Sequence, residues 1–485
     1  MAAESRSLIF VFVCILSALL GSSVFAGTAP STYSAYSGTD AKVIPRAPAL
    51  GPANSMINDP TFGSRILRVT DGNTASNLSF ISEDAGVFRT WNADSTAVKL
   101  LDAYSGSYWL EFNASSFTVG DGSAKPSLHR LNFNYAWEWS AVDPDILYFL
   151  NGNQLAKYSK STGLVTNLGG PPNGDPVTWH VAVVGADNWV CAVAGGGSQN
   201  TYTKIFCLNP TNTARSTFID VLHKTINGIA QSDPNWPTSA SGQTIGIHSM
   251  YGSAAGAYLG VNFHQQSWGG NGDSVFDLTT NTWSLLIPGS GYWGGHTALG
   301  SGRLVNDCGS INGLDDRGAV LRDPDDLSNA SKFIFFMQPP NTVGFYSDAH
   351  ESWFNASTNA NAPVLLSRYN VAVAPSPAPA WYGEIIAAAT DGSNTVWRFA
   401  HNHNGGLVAY FAEAFAQISN DGRWALFSSY WDGTLGGSGG DFGIGTRIDT
   451  FIIDLTSTAP PPPPPPSGRT CLRYNANGRC LKWSN

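Results

Sequence analysis

Six of the nine histidines stand where imidazole chemistry could be pooled. His180, His248, His296 and His350 each precede an apolar stretch, in Val177-Thr-Trp-His180, Thr244-Ile-Gly-Ile-His248, Gly294-Gly-His296 and Ser347-Asp-Ala-His350. His401-Asn402-His403 adds a His-x-His pair. Three chemistries fit such a set. Several imidazoles can bind a divalent metal, with Mn, Zn, Cu or Fe as suitable ions. One can serve as a general base with a pKa near neutrality. Or each simply caps the end of a strand. Trp91, Trp137 and Trp139 occupy corresponding places earlier in the chain and offer faces on which sugar rings stack. Carboxylates are less promising. Glu351 follows His350 and Glu138 lies between two tryptophans, but nothing fixes the separation that a hydrolytic pair requires. Asp315-Asp316 and Asp323-Pro-Asp-Asp326 offer oxygens to Ca²⁺ but lack EF-hand spacing and read as solvated turns. Gly436-Gly-Ser-Gly-Gly440 has the form of a nucleophile elbow without its strand-turn-helix surroundings.

These residues act together only if the fold brings distant segments to one opening. Amphipathic helices are absent. Instead the chain repeats an apolar strand, a turn, a second strand, and a third strand ending in a polar hairpin. Turn centres fall at Asn92–Ser95, Asp143–Asp145, Gly185–Asn188, Gly252–Ala254, Gly300–Gly302, Asn355–Thr358 and Asn420–Gly422. A spacing of roughly 40 to 70 residues is that of a four-stranded propeller blade with its loops. Lys157-Tyr-Ser-Lys-Ser-Thr-Gly163, Phe276-Asp-Leu-Thr-Thr-Asn281, Phe451-Ile-Ile-Asp-Leu-Thr456 and, more loosely, Cys207-Leu-Asn-Pro-Thr-Asn212 read as hairpins between outer strands, where Gly and Asn supply positive φ. The expected fold is all-β, a seven-bladed β-propeller over residues 61–457. A sandwich needs fewer strands, and a β-helix needs a shorter period of roughly 20 to 25 residues. Radial symmetry then carries side chains at one blade position to a common mouth, His-rich on one side and Trp-rich on the other.

Asp143-Pro-Asp-Ile-Leu-Tyr-Phe149, Gly392-Ser-Asn-Thr-Val-Trp-Arg-Phe-Ala-His401 and Ile418-Ser-Asn-Asp-Gly-Arg-Trp-Ala-Leu-Phe-Ser-Ser429 resemble blades of the TolB and oligogalacturonate lyase type of propeller. The resemblance runs blade by blade from about Ile66 to Leu455 and specifies fold better than function. It implies a metal-binding Gln-x-x-His-x-His segment, matched here by Arg398-Phe-Ala-His401-Asn-His403; the histidine pattern itself offers His296 as a further imidazole ligand, with Mn, Zn, Cu or Ca as the possible ion. Arg398 stands where the family has Gln. A guanidinium is no metal ligand, but it can grip a carboxylate bidentately. A lyase reading follows from the resemblance. The uronate carboxylate is neutralised by a metal or by Arg398, His296 or His248 removes the C5 proton, and the 4-O-linked sugar departs. His180, His350 and the three tryptophans would line the substrate.

The two ends place this body outside the cytoplasm. Arg6, an apolar run from Leu8 to Leu20, and Val24-Phe-Ala26 form a signal-peptide pattern over residues 1–26, with cleavage expected before Gly27. No later stretch is long and apolar enough for a membrane span, so the mature chain is expected to be soluble, exported to the periplasm or the cell exterior. Five cysteines remain after cleavage, giving the pairs Cys191–Cys207 and Cys471–Cys480 with Cys308 left over, and none has Cys-x-x-Cys spacing. Residues 27–60 read as a loop-rich lead-in, 458–468 as a proline-rich spacer, and 469–485 as a small basic tail closed by a disulfide. Asn-x-Ser sequons at Asn77, Asn113, Asn329 and Asn355 would mark surface loops in a eukaryotic secretory route, making the chain a glycoprotein.

Only 13% of residues are charged while 12% are aromatic, which excludes disorder for the main body. The net charge is −9, and the four tail bases leave the body alone near −13, so nucleic acid is excluded as the general partner. An acidic polysaccharide is the expected partner. Two function classes follow: a polysaccharide lyase acting on uronate-containing glycans, or a non-catalytic propeller that binds carbohydrate or a cell surface. An envelope scaffold of the TolB kind is weaker, since no partner-binding segment is legible.

Overall fold

The computed structural model describes residues 27–82, 88–104, 106–133, 136–185, 188–198, 200–239, 244–264, 272–285, 297–308, 318–336, 347–370, 377–405, 409–437, 440, 442–457, 471–474 and 480–483. Seven antiparallel sheets stand side by side in a ring, a seven-bladed β-propeller. The inner strands of blades 1 to 7 are Phe80–Ile81, Trp137–Trp139, Val177–Val184, Gly246–Gly252, Thr297–Leu299, Ser347–Ser352 and Gln417–Ile418. Each of the seven turn centres predicted from Gly, Asn and Asp sits between the first and second strand of one blade. No helix among the described residues is long and apolar enough to cross a membrane.

Alternating apolar strands explain the packing. Each sheet buries both faces against its neighbours, so separate cores lie between successive blades rather than in one centre. One contains Cys191, Val193, Ile205 and Ile219 of blade 3 against Ile247, Leu259, Val261 and Phe276 of blade 4. Cys191 and Cys207 face each other across the second and third strands of blade 3 and form a disulfide. Closing a loop of this size restricts the unfolded chain by about 3 kcal/mol. A Cys191→Ser, Cys207→Ser variant should lower the denaturation midpoint by a corresponding amount, measured by urea titration with and without reductant on the wild type. The side chains of Cys308, Cys471 and Cys480 lie outside the described residues; the tail hairpin pairs Cys471 with Trp483 and Tyr474 with Cys480.

Blade 7 departs from the hairpin expected at Phe451–Thr456. Among the described residues its third strand, Asp449–Asp454, is followed by no fourth strand of its own. Arg65–Arg68, from the start of the propeller, takes that place, with Ile66 opposite Ile453 and Leu67 opposite Ile452. A ring must be sealed somewhere, and here hydrogen bonds between the two ends of the body seal it. Met56–Asn58 adds a fifth strand outside it. The lead-in runs along blades 6 and 7: Tyr36 bridges Arg398, Lys42 bridges Ala378, and the Trp431 indole donates to the Pro48 carbonyl at 2.7 Å.

Candidate functional site

Two of the predicted histidines occupy the same structural place. In blade 3, Trp179 pairs with Val193 and Val181 with Ala192, so the register shifts across His180, which bulges with φ of 51°. In blade 4, Ile247 pairs with Phe263 and Ser249 with Asn262, so the register shifts across His248 in the same way. A bulge re-aims a side chain that regular pleating would bury in the sheet. The two inner strands pack on each other, so neighbouring blades carry equivalent imidazoles.

His248 is half-buried, and its Nδ1 lies 2.8 Å from Asn200 Oδ1. An amide oxygen only accepts, so this contact places the proton on Nδ1 and the basic lone pair on Nε2. Asn200 itself sits on the hairpin between the disulfide-linked strands of blade 3. Its backbone passes so close to Gly246 that a Cβ there would come within 1.8 Å of the Asn200 carbonyl oxygen. Glycine two residues before His248 is therefore what lets the orienting amide approach. His180 is largely buried beside Phe88, 4.6 Å between ring centroids, and beside the half-buried Trp179. Trp179, stacked on Tyr202 at 5.9 Å, is a partly accessible aromatic face in this region.

The three tryptophans expected at the mouth are not there. Trp91, Trp137 and Trp139 are 1%, 1% and 0% exposed and pack between blades 7, 1 and 2. Strands covered on both faces leave no side for a sugar to reach, which corrects the Trp-rich rim. His350 is fully buried, its Nε2 2.5 Å from Glu413 and its ring against Phe415. It is an inner-strand residue held inside the protein, not a substrate contact. His296 lies outside the described residues.

Arg398, His401 and His403 belong to the outermost strand of blade 6 and the loop after it, away from the inner strands. Arg398 is fully buried and clamps Glu384 with two hydrogen bonds, 2.7 and 2.6 Å, while its Nη1 donates to the carbonyls of Gly38 and Asp40 in the lead-in. Burial pushes the Glu384 carboxyl up to about 7, against the downward pull of Arg398. The guanidinium is thus spent on an internal carboxylate, which corrects its role as neutraliser of a substrate uronate. His401 stacks on Phe62, and its Nδ1 lies 3.9 Å from Asp59; burial, with the His403 and Arg398 charges, lowers its pKa to about 3. His403 lies 3.4 Å from Asp432.

A metal does not fit this segment as described. His401 Nδ1 and both ring nitrogens of His403 are buried with no hydrogen-bond partner among the described residues, as ligands would be. Yet Arg398, no metal ligand, stands three residues before His401, and no three His, Cys, Asp or Glu side chains among the described residues group to hold an ion. Asp323 and Asp325 form an ordinary exposed turn, 2.9 Å from backbone nitrogen to carboxylate.

Arg89 ties three blades together: it is fully buried, donates to Asn420 of blade 7 at 3.1 Å, and lies 4.5 Å over Phe354 of blade 6. Glu138 of blade 2 accepts from the backbone of Val183 at 2.7 Å and of Arg89 at 3.3 Å; burial raises its carboxyl to about 7. Glu138 and Glu351, the two carboxylates considered for hydrolysis, are both buried. Sequence reasoning missed Arg89, Asp59, Glu384 and Asn200, because their roles come from partners on other strands or loops.

No family model matches the chain, and no curated protein matches it in sequence. Its fold is similar to that of solved oligogalacturonate lyases. One, in complex with manganese, superposes with a TM-score of 0.54 at 11% identity, covering 85% of this chain and 99% of that one. Another, from Vibrio parahaemolyticus, gives 0.50 at 10% identity, covering 86% and 100%. The likeness covers the whole propeller and establishes the architecture.

Proposed function

We propose that this chain is an exported carbohydrate-active propeller that cleaves uronate-containing glycans by β-elimination, with His248 as the base. The observation that carries the reading is the pair of bulged imidazoles on adjacent inner strands, one oriented by Asn200. The fold shared with oligogalacturonate lyases supports it, and the signal-peptide pattern of residues 1–26 supports export. In the reaction, His248 Nε2 takes the C5 proton, the C4–C5 double bond forms and the C4–O bond breaks; water protonates the departing oxygen, so the sugar leaves as an alcohol, and the His248 imidazolium returns its proton to the hydroxide so formed. Asn200 holds the ring and its tautomer throughout; Trp179 offers a face for the sugar.

Wild-type protein incubated with oligogalacturonate should generate ultraviolet absorbance from unsaturated ends. His248→Ala should lower kcat/KM by about 10²–10⁴, the usual contribution of a positioned base, and Asn200→Ala should lower it less while shifting the pH profile. Full activity in His248→Ala would remove the assignment. A non-catalytic carbohydrate-binding propeller is the second reading, favoured by the commitment of Arg398 to the internal carboxylate of Glu384. It predicts binding of the same oligomers without any absorbance change.

A further inference from the structure

A second basic feature lies far from the bulged histidines, where the lead-in crosses blade 7. A cleft of about 640 Å³ is lined by residues 46–50 of the lead-in and by Arg68, Thr434, Leu435 and Arg447 of blade 7. Three guanidinium groups and no carboxylate line it. Behind its wall Asp449, fully buried, is held by both Arg68 and Arg447. Arg68 also donates to the carbonyls of Thr70 and Gly51, and Arg447 to Asn77 at 3.0 Å.

Asp449 is the carboxylate shared by the two clamping arginines. An arginine has five N–H donors, and each of the two clamping arginines commits one hydrogen from each of its three nitrogens. Donors are left over on both, and both side chains are locked in place by their internal bonds. Arg46 is exposed, at the end of a segment pinned by the bonds from Ala47 N to Asp432, 3.0 Å, and from Trp431 to Pro48. Two further acids lie nearby: Asp432 is engaged with Ala47 and His403, and Asp71, held below the usual carboxylate range in part by Arg68, accepts from Ala53 N and Asn73 N. In a body whose net charge is strongly negative, a cleft with only cations on its walls is a local reversal of sign that concentrates anions.

We propose that this cleft is an accessory anion subsite, taking a carboxylate of an acidic oligosaccharide chain. The inference rests on the reading of the substrate as a uronate glycan. Fixed guanidinium forks match planar carboxylates bidentately, and Pro48, Leu50 and Leu435 give the sugar ring an apolar surface beside the charge. The subsite would hold a long chain to the protein while another part of it reaches the inner strands.

The test uses a tetragalacturonate and its methyl ester, which has the same sugars without charge. Binding is followed by calorimetry and by hydrogen exchange of residues 46–50 and 431–437. The tetramer should protect these segments in the wild type and the ester should not. Arg46→Ala should weaken tetramer binding about tenfold, and Arg46→Glu further, whereas the remote Lys125→Ala leaves it unchanged; a tenfold change is the scale of one charge-assisted contact. Arg46 is exposed, so these variants fold. Unchanged affinity and protection in Arg46→Glu, or equal binding of the ester, would overturn the subsite. Arg46-dependent protection in a protein that produces no unsaturated ends would keep the subsite and sink the lyase reading instead.

Discussion

An Arg398→Met variant should unfold about 3–5 kcal/mol more readily than the wild type, the usual result of removing one partner from a buried ion pair. Glu384 is 1% exposed and has Arg398 as its bidentate partner, so the variant leaves a carboxylate with its counter-charge removed in apolar surroundings. The pH dependence identifies the cause. Without the guanidinium, the folded-state pKa of Glu384 rises above its value of about 7 in the intact pair. A carboxyl whose folded pKa exceeds its unfolded one binds more protons in the native state, so stability falls as pH rises between the two values. Arg398→Met should therefore be most stable near pH 5 and lose stability steadily through neutrality, followed by chemical denaturation at a series of pH values. Adding Glu384→Gln should flatten that slope. A pH-independent loss would mean that the packing of the lead-in on Arg398, through Gly38 and Asp40, matters more than the charge.

Leu67→Asp should abolish folding of the propeller. Leu67 is fully buried opposite Ile452 in the strand that seals the ring, and an isolated carboxylate there costs several kcal/mol in addition to the lost apolar contact. The same substitution at Met56, 54% exposed on the extra strand outside it, should change stability by less than about 0.5 kcal/mol. Circular dichroism melting and the yield of monomeric protein separate the two outcomes. A cooperative, near-native transition for Leu67→Asp would show that blade 7 does not depend on its borrowed strand.

Blade number was legible because each first turn requires residues that tolerate tight geometry, and Asn92–Ser95 or Asn420–Gly422 announce themselves locally. The seal was not legible in the same way. Ile66 and Ile453 are ordinary strand residues, and nothing near either says that they pair. The tryptophans misled for a related reason: Trp137-Glu-Trp139 reads as a strand with aromatic faces to spare, but radial stacking covers both sides. His180 and His248 share a sequence setting beside apolar runs, and they lie at matching places within adjacent inner strands. The bulges that distinguish them from the buried His350 depend on cross-strand register and left no local mark. Arg398 looked available because Glu384, its partner, lies on the adjoining strand.

The pairing of Ile66 with Ile453 also sets an order of events. A ribosome makes the sealing strand first and its partners last, so residues 65–68 must wait with their hydrogen-bonding edge uncovered until nearly 400 residues more have emerged. Such distant contacts form slowly, and the open intermediate exposes strand edges that invite self-association. A chain that threads an export channel before folding would meet this delay on the far side of the membrane, where companions that shield bare edges would govern yield more than the final stability does.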